Sequence, residues 1–183
     1  NYVHVSHKDA SFLATEYLIE KGHKKILLLN GPTQLSVSKD FLNGYVKSLN
    51  KNNLEVDKLL VRYCNLSVED GYEEIKKIFK KSDIDNFTAI VTLSDMLAIG
   101  VYEASKELNF NIPNDLSIVG CDNIFMTAYL SPPLTTIHVP KIKVGELSIN
   151  MLLEQINNEN SEFQKKILNV KIVERDSVKK LSD

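Results

Sequence analysis

The run Thr88–Leu108, TAIVTLSDMLAIGVYEASKEL, changes its hydrophobic period part-way along, and that change constrains the fold more than any other feature. Ala89-Ile90-Val91-Thr92-Leu93 is apolar and β-rich. It is too short for a helix and hydrophobic on both faces, which suits a strand buried in a parallel sheet. From Met96 onward, Leu97, Ile99, Gly100, Val101 and Ala104 recur at helical spacing. The switch falls on Ser94-Asp95. A hydroxyl and a carboxylate therefore stand at the carboxyl end of a central strand, over the first turn of a helix, where open α/β sheets bind ligands. Asp95 has two readings that can hold together. It can cap the helix by accepting from the first unpaired N–H groups, or it can touch a ligand directly.

The same unit repeats on either side. Asp9 is placed to cap a helix over Ala10–Lys21, with Gly22 at the C′ position. Lys25–Leu29 is a second buried strand, ended by the turn Asn30-Gly31-Pro32. A polar loop with Ser36 and Ser38 leads to a helix over Lys39–Lys51. Leu59–Tyr63 is a third strand. Ser67 to Asp70 has the spacing of a capping box, opening a helix that runs to about Lys81. Ser117–Gly120 is a further short strand. The pattern from Lys25 to Asn123 is thus β-α-β-α-β-α-β, which predicts an α/β fold: a parallel sheet with right-handed crossovers and helices on both faces.

All four strands then point one way, and their following loops gather on one rim. Those loops are Gly31–Ser38, Cys64–Ser67, Ser94-Asp95 and Cys121–Asn123. They carry serines, amides and two carboxylates, with Lys39 as the one cation at the margin. Such a rim suits hydroxyls better than a phosphate, and a sugar or other polyol is the natural candidate. Turn formation and capping account for Asn30, Ser67 and Asn123 equally well. They account less well for Asp122, after which no clear helix begins. Beyond Asn123 the alternation breaks. Ile124–Leu130 is a short helical patch and Ser131–Ile137 is extended by its prolines. Pro140 opens a helix to about Asn157. A polar loop, Asn157–Glu162, precedes a last strand at Ile167–Val173.

Charge and motif content narrow the function. Twenty-two Lys+Arg against 24 Asp+Glu leave a net −2, so the chain shows no nucleic-acid-binding surface of its own. Cys64 and Cys121 form neither a metal spacing nor a disulfide framework, which points to a reduced, cytoplasmic setting. No signal peptide or transmembrane span is legible. The opening Asn-Tyr-Val-His-Val reads as the middle of something, and an N-terminal part is expected to be missing. His4, His7, His23 and His138 show no metal or triad spacing, and GxGxxG, P-loop and GxSxG motifs are absent. No enzyme activity, cofactor or metal is therefore expected. A receiver domain would need an acidic pair where Asn30-Gly31 stands.

A set of short motifs in order carries a resemblance over nearly the whole chain. They are Asp9 with the helix into Gly22-His23; Ile26–Pro32; Gly44-Tyr45; Gly71-Tyr72; Ser94–Gly100; Ile112–Asn123; Pro133–Ile137; and Arg175-Asp176-Ser177. Each alone is weak, but together the chain resembles the effector-binding part of a LacI/GalR-type transcriptional repressor, of the type I periplasmic-binding-protein-like fold. The resemblance implies two α/β subdomains with ligand between them. Residues 1–138 and 161–183 would form mostly the C-terminal subdomain. Residues 139–160 would supply one helix of the N-terminal subdomain, whose first half is absent together with the DNA-binding headpiece.

The resemblance also implies a site. Asp122 stands where the family binds effector with an aspartate, and Ser94 where sugar-binding members often have Asn. Ser36 and Ser38 lie in the loop that commonly contacts effector, and Leu66 or Asn65 where an aromatic often stacks. Phe41 stands where many members place an arginine, so bidentate binding of a sugar or acidic ligand is lost there. The family dimerises through this subdomain, and the Met96–Glu107 helix, through Met96, Ile99, Tyr102 and Glu103, is the candidate interface with Tyr129. Core packing is the competing reading for these residues. The implied partners are a small-molecule effector such as a sugar, a second copy of the chain, and operator DNA through the absent headpiece, with no membrane. The alternative is a secreted sugar-binding protein of a transport system.

Overall fold

The computed structural model describes residues 1–80, 87–158 and 163–181. It begins with β1 (Tyr2–Val5), α1 (His7–Glu20), β2 (Ile26–Asn30) and α2 (Ser36–Lys51). A 3-10 turn at Lys58–Leu60 leads into β3 (Val61–Tyr63), followed by α3 (Val68–Lys80), β4 (Ala89–Thr92) and α4 (Asp95–Leu108). Then come β5 (Ser117–Asp122), a 3-10 turn at Phe125–Tyr129, β6 (Thr135–His138), α5 (Lys141–Asn157), β7 (Lys165–Leu168) and β8 (Lys171–Val173).

Six strands form one sheet in the order β3-β2-β4-β5-β6-β8, parallel except for β8, which runs antiparallel to β6. The order explains where the helices lie. The chain moves outward from β2 to β3, then back across to β4 and on to β5. Right-handed crossovers therefore put α2 on one face and α3 and α4 on the other. α1 packs on α2, and α3 on α4. The core between these layers is the run Ile26–Leu29 and Ala89–Val91, all at 1 % exposure or less, with Ile118 and Val119. β2 feeds one face and β4 the other, so their carboxyl ends part at a crevice, the switch point at which open sheets bind ligands.

Several element ends differ from the sequence expectation. α1 starts at His7 and its cap is Ser6, whose Oγ accepts from the Asp9 N–H at 3.1 Å. Asp9 lies inside the first turn, where its charge favours the helix dipole. α2 begins at Ser36, so Ser36 and Ser38 are helical rather than looped. The capping pair at Ser67 and Asp70 is present, with the Asp70 N–H donating to Ser67 Oγ at 3.0 Å. The expected helix end at Lys81 and most of the loop at 157–162 lie outside the described residues.

The expected strand Ile167–Val173 is two strands in two sheets. β7 pairs with β1 as a separate two-stranded parallel sheet, while β8 joins the main one. His23 lies just past the C-terminus of α1 and is fully buried. One ring nitrogen lies 2.8 Å from Thr88 Oγ1 and the other 3.2 Å from the Lys179 carbonyl, and burial lowers its pKa. α5 touches β1 but leaves Ile142, Ile149, Leu152, Leu153 and Ile156 more than half exposed. No helix among the described residues is long and apolar enough to cross a membrane.

Candidate functional site

The crevice between β2 and β4 opens at Gly31. A Cβ on Gly31 would meet Leu93 Cδ2 and Ser38 Oγ at 2.8 Å and Leu66 Cδ2 at 3.0 Å. Two leucine methyls and one hydroxyl therefore close in on this buried point, and only glycine fits between them. The turn is held from below by Asn30, which is fully buried. Its side-chain Nδ2 donates to the Ser38 carbonyl, and its Oδ1 accepts from the Gly31 N–H, both at 2.9 Å. Ser38 Oγ is buried with no hydrogen-bond partner among the described residues, and Ser38 borders a cavity of about 100 Å³ with Thr33, Lys39, Leu42 and Tyr63. A buried hydroxyl left unpaired has an energetic cost.

Around this point the predicted residues separate. Leu66 is 37 % exposed beside the crevice. Ser36 and Asn65 are exposed further out, and Asn65 Nδ2 donates to Asp70 at 3.3 Å. Phe41 is completely buried in the core. It faces away from the rim and fills space between layers, so it offers no wall to a ligand.

On the β4–β5 side the two readings of Asp95 resolve. Ser94 is the N-cap of α4, its Oγ accepting from the Leu97 N–H at 3.3 Å. Asp95 is the first helical residue and has no exposed surface. Its Oδ1 accepts from the Thr136 hydroxyl at 2.6 Å and its Oδ2 from the Ile124 N–H at 2.8 Å. The carboxylate ties α4 to β6 and to the turn after β5. Burial pushes its pKa up, against these two hydrogen bonds.

Asp122 is different. It ends β5 with φ 121°, and Asn123 follows with φ 51°. Two consecutive non-glycine residues at positive φ are costly and persist where surrounding contacts fix them. Here those contacts are plain. Lys141 Nζ donates to the Asp122 carbonyl. Arg175 Nη2 donates to Asn123 Oδ1 at 2.9 Å, and its Nη1 donates to the Leu134 carbonyl at 2.6 Å. This orients the Asn123 amide, so its Nδ2 faces His138 Nδ1 at 3.1 Å and that nitrogen must be the acceptor. Burial with Lys171 and Lys141 nearby lowers the His138 pKa, in accord with a neutral ring. The Asp122 carboxylate itself accepts no hydrogen bond from the described residues. Partial burial, opposed by Lys141 and assisted by Asp95, pushes its pKa up to about 6. Beside it, a cavity of about 390 Å³ runs along Asn123, His138, Pro140 and Lys141.

The rim thus has an apolar margin at Leu66, above the buried Leu93 and Ser38, and an acidic pole at Asp122. Leu93, Lys141, Thr136 and Arg175 escaped the sequence reading as site residues. Arg175 was visible only as part of a short motif in a charged tail. Of the interface candidates, Met96 and Ile99 are half-buried and Glu103 is exposed along one face of α4. Tyr102 is 3 % exposed, with its hydroxyl donating to the Pro132 carbonyl at 2.9 Å, and so packs inside the subunit. Tyr129 is 73 % exposed, its ring centroid 4.9 Å from that of Phe125. Among the described residues no group of His, Cys, Asp or Glu could hold a metal ion.

Residues 15–178 match the family described as the periplasmic binding protein-like domain. The chain belongs to that family. Within it, the sequence is similar to LacI-family repressors. It is 34% identical over 176 residues to the HTH-type transcriptional repressor PurR of Actinobacillus pleuropneumoniae, covering 95% of this chain and 52% of that protein. It is 35% identical over 167 residues to the ribose operon repressor of Haemophilus influenzae, covering 91% and 50%. A solved LacI family regulator from Enterococcus faecalis with bound ribose superposes with a TM-score of 0.86 at 30% identity, over 98% of this chain and 64% of that one. The chain spans about half the length of the curated relatives it matches. This periplasmic-binding-protein-like domain is of the effector-domain type found in those regulators.

Proposed function

We propose that this domain senses a small effector, of the sugar class, for a cytoplasmic LacI-type regulator, and controls DNA binding by a headpiece outside this chain. The single observation that carries the reading is Asp122: a partly buried carboxylate that accepts no hydrogen bond from the described residues, on strained backbone held by Lys141, Asn123 and Arg175 at the carboxyl end of β5. The ribose bound in the Enterococcus faecalis regulator supports the ligand class. The repressor relatives favour a regulator over a secreted binding protein. On this reading the exposed faces of α5 and of the β1–β7 sheet belong to the second subdomain, and effector binding changes how the subdomains close. The coupling needed is a difference in affinity between two closure states of about 1–3 kcal/mol.

Asp122→Ala should weaken effector binding by roughly 1.5–3 kcal/mol, as for a hydrogen bond to a charged group. Isothermal calorimetry on the full-length regulator measures this, and unchanged affinity with an intact fold removes Asp122 from the site. The pH dependence has a definite sign. Asp122 binds hydroxyls best when ionised, so affinity should fall as pH drops through about 6. Its raised pKa means the free fold loses stability from this group as pH rises through the same value.

The domain also has a surface suited to a second copy. Met96, Ile99 and Glu103 lie on one face of α4, and Phe125 and Tyr129 stand exposed beyond the rim. In sedimentation velocity at micromolar concentration, the paired change Phe125→Glu with Tyr129→Glu should convert a dimer to a monomer. A persistent dimer would place the interface elsewhere.

A further inference from the structure

His138 stands where the turn after β5 meets a link between the two sheets. Three links join the main sheet to α5 and the β1–β7 sheet: Val5-Ser6, Val139-Pro140 and the stretch from Leu168 to Lys171. They run side by side, because Val5 is the register partner of Leu168, and His138 that of Lys171. His138 is the last residue of β6 before the second link, and across β5 its register partner is Asp122. The contact between Asn123 Nδ2 and His138 Nδ1, at 3.1 Å, therefore joins the turn at Asp122-Asn123 to that link. Its polarity is fixed from the far side. Arg175 can only donate, so Asn123 turns Oδ1 towards it and Nδ2 towards His138. A neutral ring accepts there, whereas a protonated ring carries N–H on both nitrogens and cannot. Turning the amide over would only set its NH₂ against the guanidinium. No anion around the ring favours a proton on it. Lys171 of β8 and Lys141 of α5 are cations, and burial with these two holds the ring below the ordinary histidine range. Glu146 of α5, on the same cavity, accepts from Lys143 at 3.0 Å. The Asp122 carboxylate has Lys141 and Asp95 as its charged neighbours.

We infer that the Asn123–His138 hydrogen bond is a proton-sensitive latch: neutral His138 ties the turn at Asp122 to the link into α5, and protonation of the ring releases it. His138 is thus a positioning residue, acting on Asp122 through Asn123. Two consecutive residues at positive φ persist only while surrounding contacts fix them, so the turn loosens when this contact opens. The sign follows from the ring. It is neutral at pH 7 and gains its proton only as pH falls below the ordinary histidine value of about 6.5. Mild acid would then weaken effector binding by a route separate from the ionisation of Asp122. That consequence rests on the reading of Asp122 above, while the latch does not.

The test uses the full-length regulator without ligand, by NMR of ring-labelled histidine and by backbone hydrogen exchange. At neutral pH His138 should carry its proton on Nε2, with Nδ1 bare. Between about pH 7.5 and about pH 5.5, exchange in the segment 122–127, corrected for its intrinsic rate, should speed up about threefold or more. In His138→Gln, whose side-chain oxygen accepts from Asn123 but does not titrate, the protection should stay at its neutral-pH level throughout. A proton on Nδ1 at neutral pH overturns the latch. So does protection that is flat with pH in the parent, or an acid loosening that survives in His138→Gln, which would assign it to Asp122. Should His138→Gln fail to fold, Asn123→Asp decides. A carboxylate there accepts from both Arg175 and an imidazolium, so His138 should bind its proton about tenfold more tightly, and unchanged titration overturns the latch. Because no ligand is present, each of these failures leaves the Asp122 reading standing. That reading fails separately, if Asp122→Ala keeps full effector affinity.

Discussion

Asp95→Ala should cost this domain about 2–5 kcal/mol of folding stability, among the largest effects of any single polar substitution in it. The side chain has no exposed surface, and both oxygens are occupied by donors from other elements, the Thr136 hydroxyl and the Ile124 N–H. Removing the carboxylate leaves the buried Thr136 hydroxyl and the part-buried Ile124 N–H without their partner, at about 1–3 kcal/mol each. The backbone is already built around the group. A Cβ on Gly120 would sit 2.2 Å from Asp95 Oδ1, so the adjoining strand is kept open for this oxygen.

The conservative variant separates charge from geometry. Asp95→Asn keeps one acceptor but turns an amide NH₂ towards a donor, so it should recover only part of the loss. Urea unfolding followed by circular dichroism gives both values, provided the slope with denaturant is unchanged. A double-mutant cycle with Thr136→Val should show coupling of at least about 0.5 kcal/mol, and its absence would mean that the hydroxyl bond contributes nothing. Because Thr136 also accepts from the Asn123 N–H, at 3.3 Å, loss of Asp95 should loosen the segment that positions Asp122. Effector affinity should therefore fall in a variant whose altered residue never touches effector.

The alternation that gives the sheet was legible because period and composition change together at each strand end, as at Leu93-Ser94-Asp95. Strand order was not legible. Nothing local distinguishes a crossover to the left from one to the right, yet that choice creates the crevice at Gly31. The caps were misplaced because two polar residues stood close together each time. Ser6 rather than Asp9, and Ser94 rather than Asp95, took the extended backbone that a cap requires. At β7 and β8 the signal was one apolar run over the seven residues Ile167–Val173, and only the pairing partners divide it between two sheets. The acidic pole was half legible. Asp122 stood out as a carboxylate with no helix to cap. Its support by Arg175 joins residues 52 apart in sequence, a contact that local pattern does not encode. Phe41 matches the site position of a motif, while the helix phase it shares with Tyr45 and Leu49 points it inward, and it lies in the core.

The same substitution should have opposite signs at two helical glycines. Glycine inside a helix costs roughly 1 kcal/mol relative to alanine, so Gly→Ala ought to stabilise wherever the methyl group has room. At Gly145, in α5, a Cβ meets nothing within 4 Å. Gly145→Ala should therefore stabilise the 183-residue chain by about 0.5–1 kcal/mol. At Gly100 a Cβ would lie 2.2 Å from the Val68 carbonyl oxygen and 2.6 Å from the Tyr72 nitrogen. Both are backbone atoms of α3, and no side-chain rotation can clear them. Across the same crossing, a Cβ on Gly71 would lie 2.6 Å from the Leu97 carbonyl oxygen. α3 and α4 therefore meet backbone to backbone through a pair of glycines, and either methyl forces the helices apart. Separating them opens the core around Ile75, Leu97 and Val101, which are all fully buried. Overpacking of this kind usually costs 1–3 kcal/mol, and a clash with fixed backbone lies at or above the upper end. Gly100→Ala should lose about 3 kcal/mol net of its helix-propensity gain, and Gly100→Val should lose more than about 4 kcal/mol and fail to accumulate as a folded domain. Thermal unfolding of the three variants against the parent decides the matter. A stabilised Gly100→Ala would mean that α3 is free to move off α4.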